Sequence, residues 1–344
     1  MTRPLNVIGL TGHRRTPSAR FRVGQFVAPL AEEGVALDWR PAPVSEYPPV
    51  ATWRRPLWLA TSLAARLPDI ARTWPADVTL FNREFISTLA TLEGWTNRPR
   101  VFDVDDAIWL RRGGGYAARL ARQMDLVVCG NEMIADWFGQ HNSQLEILPT
   151  AVDTVRFAPR PVSDPGAAPT FGWSGTSSNH RFLLDLEEAF GRVLQEVPKA
   201  RLRVCSDLEP RWRNLPAERV DFVPWSMESE VPFFQSLDVG LMPLEDTDWT
   251  RGKCSYKMLL YLSCGVPAVV SPVGMNNQVL GEAEVGRAAI SGADWSAAII
   301  DLLGATDVRQ SLGRAGRRLV EKKYSVEVIT RQWAALLRRT AGRS

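Results

Sequence analysis

The chain has 344 residues, and 45% are hydrophobic against 23% charged. That excludes a disordered or fibrous chain and exceeds a single small module, since a domain takes roughly 100–200 residues. Its 41 Lys and Arg against 38 Asp and Glu leave a net charge of +3 with the cations scattered, so nucleic acid is not an expected partner. Cys129, Cys205, Cys254 and Cys264 show no CxxC spacing and read as free thiols of a reducing compartment.

In chain order, apolar runs at 5–10, 78–81, 100–104, 125–130 and 145–150 alternate with helical stretches such as 20–33, the rhythm of a parallel sheet covered on both faces. Four prolines and nothing periodic fill 157–170, which reads as a linker at 158–169. The rhythm then restarts with runs at 170–175, 201–206, 220–225, 239–244 and 267–271 and helices over 181–195 and 255–263. Apolar residues at helical spacing over 326–339, followed by Gly342, predict a closing helix. The expected architecture is α/β: a Rossmann-like domain at 1–157, a second at 170–325, and a closing helix within 326–344.

The first ten residues lack the pattern of a secretory signal, so a cytoplasmic location is expected. Residues 258–281 are uncharged, but Gly265, Pro267, Pro272 and Gly274 interrupt them, which predicts helix, turn, buried strand and loop rather than a membrane span. His13, His141 and His180 are too dispersed for a metal site.

Open parallel sheets bind ligands beyond the carboxyl ends of their strands, so residues just after the predicted strands are the candidates. In GLTGHRR (9–15), two glycines would let backbone N–H groups approach a ligand, but there is no GxGxxG fingerprint and NAD is disfavoured. Arg14, Arg15, Arg20 and Arg22 nearby read either as a grip on an anionic ligand or as a solvated helix face. Arg251, Lys253 and Lys257 cluster where a loop enters a helix, and cations together with helix N–H groups favour a phosphate or diphosphate there. The stretch 52–74 mixes Trp53, Trp58 and Trp74 with four arginines and reads either as a helix packed on the first domain or as a basic amphipathic helix resting on a membrane.

The segments DVDDAIW (103–109), CGNEMIADWF (129–138), LPTAVDTVRF (148–157), FGWSGTSSNHRFL (171–183), DVGLMPLEDTDWTRGKCSYKMLLYLSCGVPAVVSPVGMN (238–276) and GRAGRRLVEKKYS (313–325) resemble, in order and spacing, retaining glycosyltransferases of family 4. The resemblance implies the GT-B fold, two Rossmann-like domains facing a cleft with the C-terminal helix closing it, and transfer of a sugar from a nucleotide diphosphate sugar without a metal or other cofactor. By position it implies Lys253, Lys257, Arg181 and Gly175 as diphosphate contacts. It also implies an acceptor that is a glycan, a lipid-linked glycan or a small molecule, with peripheral contact to the inner membrane face as an accompanying expectation.

This chain departs from many family members in two places. Their paired glutamates fall at Gly252 and Leu260, and the sequence resembles instead a subgroup reading RGKCxYK...YxxCGxP. Asn276 and Asn277, with Gly274, are candidates for the missing sugar or ribose contacts, or else serve the loop's own structure. Where many members carry a histidine after the strand at 100–104, this chain has Asp105 and Asp106, expected to orient the acceptor hydroxyl or steady charge on the sugar. Rival readings make DVD a metal-binding DxD or make Asp105 or Asp106 a helix cap. Gly12, His13 and Arg20 are the expected acceptor or closure loop. A nucleotide-sugar epimerase and a non-catalytic nucleotide-sugar-binding protein remain the alternative functions.

Overall fold

Among the described residues, twelve strands arrange into two six-stranded parallel sheets. The computed structural model describes residues 3–160 and 168–342. The expected linker at 158–169 therefore lies largely outside the described residues. By contacts the chain divides into two compact units: unit 1 holds residues 1–151, 252–254 and 326–344, and unit 2 holds residues 152–251 and 255–325.

In unit 1 the strands are β1 (Leu5–His13), β2 (Val35–Ala42), β3 (Val78–Asn82), β4 (Arg100–Val104), β5 (Leu126–Cys129) and β6 (Leu145–Ile147), in the order β2-β1-β3-β4-β5-β6. β3, β4 and β5 are buried at every position, which is why their sequences read as largely apolar runs, with Asn82 and Asp103 near the carboxyl ends of β3 and β4. β2 was not anticipated from the sequence. It is an edge strand, paired on one side to β1, and its VALDWRPA carries Asp38, Arg40 and Pro41, which an edge tolerates.

The closing helix Val326–Thr340 belongs to unit 1. Ile329, Trp333, Ala334, Leu336 and Leu337 on one face enter the same core as Val7, Leu80 and Val101. Arg338 near its end donates to the carbonyl of Glu33, and Arg339 pairs with Glu146.

In unit 2 the strands are β7 (Thr170–Ser174), β8 (Arg201–Ser206), β9 (Val220–Pro224), β10 (Val239–Met242), β11 (Ala268–Val270) and β12 (Gly286–Ala288), in the order β12-β11-β10-β7-β8-β9. The order reverses between β7 and β10, the switch point where a doubly wound sheet opens a crevice at its carboxyl edge. β12, only three residues long at the opposite edge from β9, was also not anticipated; GRA offers no hydrophobic run to read. Residues 258–281 form most of the helix Tyr256–Ser263 and buried β11, as the interrupted run predicted, but the expected loop gives way after Gly274 to the helix Met275–Glu282. Among the described residues no helix is long and apolar enough to cross a membrane.

Candidate functional site

In unit 2 the helix Tyr256–Ser263 builds the switch point. Tyr261 is fully buried, and its hydroxyl accepts from the N–H of Ser174 at 3.2 Å and donates to the carbonyl of Leu241 at 3.1 Å. The ladder between β7 and β10 ends at Gly172 opposite Gly240, so this hydroxyl joins the two strands beyond their last paired residues. One turn earlier, Lys257 places its ammonium 5.6 Å from the centroid of the Trp173 ring. Gly175 closes the group: a Cβ there would fall 2.3 Å from the Trp173 ring and 3.1 Å from Lys257 Cε. Glycine is thus needed where the backbone leaves β7.

On the other side of Trp173, His180 meets the ring edge-on with centroids 5.8 Å apart, and its Nε2 lies 2.9 Å from Ser206 Oγ at the end of β8. Burial lowers the pKa of His180, against the pull of Asp207. Asp207 accepts from the Ser177 N–H at 2.6 Å, holding the loop after β7 against the loop after β8. Arg181, expected at the diphosphate, is exposed and pairs with Glu245 at 3.3 Å, with its guanidinium over Phe182.

The loop after β11 corrects one expectation. Asn276 is wholly buried; its Oδ1 accepts from Ser255 Oγ at 2.7 Å and its Nδ2 donates to the Ser271 carbonyl at 3.0 Å. Its amide is a fastener between the loop and the helix Tyr256–Ser263, not a sugar contact. Ser255 itself has a left-handed backbone, φ 48°, and makes no side-chain cap to that helix because its hydroxyl is turned to Asn276. Gly274 has φ 52° and a Cβ there would fall 2.5 Å from the Arg251 carbonyl, so glycine is required. Asn277 is exposed in the first turn of Met275–Glu282.

In unit 1, Asp105 and Asp106 follow β4 and share one cation. Arg83 Nε donates to Asp105 Oδ1 at 2.8 Å and Arg83 Nη2 to Asp106 Oδ2 at 3.2 Å. Burial opposes the charge on Arg83, but the two carboxylates outweigh it and hold its pKa well above the ordinary value. Burial raises the pKa of Asp106, with Arg83 and Lys253 pulling it back. Arg83 follows β3 with a left-handed backbone, φ 61°, and its position after a strand was the signal that pointed to it. Neither aspartate is a helix cap: the short turn Ile108–Leu110 has no side-chain cap, and the backbone N–H that Asp106 accepts from is that of the next residue, Ala107.

Asp103, the first residue of DVD, points into the interior. It pairs with Arg22, which also donates to the Leu148 carbonyl at 2.8 Å, and it accepts from Asn82 Nδ2 at 2.9 Å. Burial disfavours the Arg22 charge, but Asp103 more than offsets this and holds the pKa above its ordinary value. Both side chains are at most 2% exposed, so Arg22 is a structural cation and not a grip on an anion, and Asp103 is already committed within the DxD spacing. Among the described residues no group of three or more His, Cys, Asp or Glu converges as a metal site.

The expected glycine loop is also corrected. β1 continues through His13, and Gly12 leaves room for Glu46, whose Oε1 would lie 2.8 Å from a Cβ at that position. Glu46 accepts from the His13 N–H at 3.0 Å and from Thr16 Oγ1 at 2.8 Å, so glycine serves this carboxylate. Arg20 is half-buried with its guanidinium over Phe21.

Lys253 and its neighbours belong to unit 1. Asn131 caps the helix Glu132–Gly139 by accepting from the Ile134 N–H at 2.9 Å, and its Nδ2 donates to the carbonyls of Gly252 and Lys253 at 3.1 and 3.2 Å. Cys254 Sγ donates to the Asp105 carbonyl at 3.2 Å, and burial pushes its thiol up to about 12. All four cysteines are buried and free, as read from their spacing. Unit 1 therefore gathers Arg83, Asp105, Asp106 and Lys253, and unit 2 gathers Gly175, Lys257, Trp173 and His180. Asn131 and Trp173 lay within segments that carry the family resemblance, but nothing in the sequence singled out either one as a site residue.

Residues 168–305 match the family described as glycosyl transferases group 1. The match lies in unit 2. Over the whole chain, a sucrose-phosphate synthase from Thermosynechococcus elongatus is similar at 15% identity, with 97% of this chain and 98% of that one covered and a TM-score of 0.70. WaaG, a glycosyltransferase involved in lipopolysaccharide biosynthesis, is similar at 12% identity, 97% and 99% coverage and a TM-score of 0.66. Anabaena HepE in complex with UDP and glucose gives 12% identity, 96% and 98% coverage and a TM-score of 0.67. At such identities the likeness is one of fold, and the fold is GT-B. No curated protein sequence matches.

Proposed function

We propose that the chain is a glycosyltransferase that moves a sugar from a nucleoside diphosphate sugar to a hydroxyl of a glycan, lipid-linked or small-molecule acceptor. The observation that carries this reading is the Lys257 ammonium held over Trp173 beside Gly175, at the switch point of a sheet whose sequence matches glycosyl transferases group 1. UDP and glucose, the two parts of such a donor, are bound in a structural relative, Anabaena HepE.

In the proposed reaction the bond from the anomeric carbon to the diphosphate breaks and its electron pair leaves with the nucleoside diphosphate. The acceptor oxygen bonds the anomeric carbon and gives up its proton. Lys257, with Arg181 beyond it and Lys253 four residues before it, takes the charge that develops on the diphosphate, and the N-terminal turn of Tyr256–Ser263 adds its dipole. Gly175 lets the backbone approach the diphosphate; Asn277 and Gly274 are left to meet the sugar or ribose. Asp106 receives the acceptor proton or orients the hydroxyl, and Gly12, His13 and Arg20 stand on the acceptor side. Transfer is proposed to retain the anomeric configuration. It is proposed to need no metal because Asp103 is bound by Arg22 and the next two aspartates by Arg83.

Calorimetry with a panel of nucleoside diphosphate sugars, in Mg²⁺ and in EDTA, tests donor class and metal dependence together. Micromolar binding of one donor that survives EDTA supports the reading; binding of none, or binding and turnover lost with the metal, overturns it.

A further inference from the structure

The helix Arg55–Thr73 of unit 1, with the short turn Thr52–Arg54 before it, is built inside out. Its polar residues Ser62, Arg66, Asp69 and Thr73, spaced four, three and four apart, face the protein and are buried. Arg66 donates to the carbonyls of Arg40 and Thr11 and pairs with Asp69 at 3.4 Å, and Thr73 Oγ1 accepts from the Asn97 N–H at 2.9 Å, while Ser62 Oγ and Arg66 Nε are buried without a hydrogen-bond partner. Apart from buried Ile70 and half-buried Trp58, Leu59 and Leu63, its larger apolar residues face outward. Trp53, Leu57, Ala60, Ala64, Leu67 and Trp74 are exposed at spacings of three, four and seven, with Trp53 76%, Leu57 72%, Leu67 48% and Trp74 66% exposed. A surface helix ordinarily does the reverse, because burying apolar area is what holds it to the fold. An outer stripe about 30 Å long at 1.5 Å per residue, with a tryptophan at each end, is a surface kept apolar for an occupant.

The charges identify the occupant. Arg54, Arg55 and Arg72 are exposed along this element, and its one acid, Asp69, is buried between Arg66 and Arg72. We infer that this face lies on an anionic lipid surface, the stripe entering the boundary between headgroups and acyl chains and the arginines meeting the headgroup charge. Tryptophan suits that boundary because its ring is apolar and its N–H is polar. A second copy fits less well: an antiparallel pair that sets Trp53 against Trp74 brings Arg54 and Arg55 of one copy beside Arg72 of the other, and a parallel pair sets like charges together. The inference stands independently of the donor site.

Co-sedimentation with vesicles of phosphatidylcholine alone, and of equal parts phosphatidylcholine and phosphatidylglycerol, tests it on the full chain. Binding to the anionic vesicles is expected, weakened by salt, and reduced roughly tenfold or more by Trp53→Ser with Leu57→Ser. Arg54→Glu with Arg55→Glu should remove the preference for anionic over neutral vesicles. These side chains are exposed, so melting curves should match wild type; if a variant misfolds, quenching of wild-type tryptophan fluorescence by brominated phosphatidylglycerol vesicles gives the same reading. Absence of binding and quenching, or binding indifferent to both double variants, overturns the inference. So does a concentration-dependent dimer in sedimentation velocity that the Trp53→Ser, Leu57→Ser variant dissolves, which would assign the face to a second copy.

Discussion

The ring of Tyr261 lies directly on Gly240, where a Cβ would come within 2.3 Å of it, and this contact lets the phenol reach between β7 and β10. The tyrosine of the YxxCGxP pattern thus has a structural reason: it replaces ladder hydrogen bonds where the strands part.

Tyr261→Phe should therefore destabilise unit 2 by about 1–3 kcal/mol, because the Ser174 N–H and Leu241 carbonyl lose their partner in a buried place. Gly240→Ala should cost at least as much through overlap with the ring. Denaturant titration reads both. If Tyr261→Phe is as stable as wild type, the hydroxyl does not bridge the strands.

At the neighbouring position, Lys257→Ala should weaken nucleoside diphosphate binding by roughly tenfold to a hundredfold, the range expected for a charge-assisted contact. Nucleoside without phosphate should bind the variant and the wild type alike. Gly175→Ala should weaken donor binding as well, since its methyl group displaces Trp173 and with it the seat of Lys257. Calorimetry that gives equal diphosphate affinity for Lys257→Ala and wild type removes this lysine from the site.

The sheets were legible because β3, β4, β5, β7 and most of β8 are buried apolar runs, and a parallel strand announces itself that way. β2 and β12 were not, because an edge strand keeps one side unpaired and tolerates Asp38, Pro41 or a mere GRA. At the site, the positions after strands were readable but the partners were not. Nothing in the spacing says that Asp103 turns inward to Arg22 while Asp105 and Asp106, beyond the end of β4, turn to Arg83, since the pairing crosses 81 and 22 residues of sequence. Asn276 looked available because its loop follows a strand; its burial depends on Ser255, which sequence alone did not place beside it.

A pH test follows from Glu84, just after β3. Burial raises its pKa, only partly countered by the Thr88 N–H on Oε1, and Oε2 is buried without a hydrogen-bond partner. The folded state therefore keeps this proton to higher pH than the unfolded chain does. Over the window that begins at the ordinary carboxylate value the folded state binds more protons, so stability falls as pH rises through it. Glu84→Gln cannot ionise, and its stability relative to wild type should climb as pH rises from the ordinary carboxylate value through the raised pKa of Glu84, and then level off. Chemical denaturation at several pH values decides this; a difference that stays flat with pH would show that Glu84 titrates normally.

Asp106 offers the sharpest test of the acceptor side. Burial raises its pKa while Arg83, 3.2 Å from Oδ2, and Lys253 hold it down, the balance a proton acceptor needs near neutral pH. Asp106→Asn keeps the shape and a carbonyl oxygen for Arg83 but cannot take a proton. It should lower kcat by roughly a hundredfold or more while donor affinity, which the proposed reading assigns to other residues, stays within about twofold. The wild-type kcat should also fall on acidification through a pKa above the ordinary carboxylate range, because only the ionised form accepts the proton. In Asp106→Asn that acidic limb should vanish, which mere misfolding would not produce. Full kcat in the variant, or a loss of donor affinity in step with kcat, would move Asp106 out of the acceptor-side role and leave it as a counter-ion to Arg83.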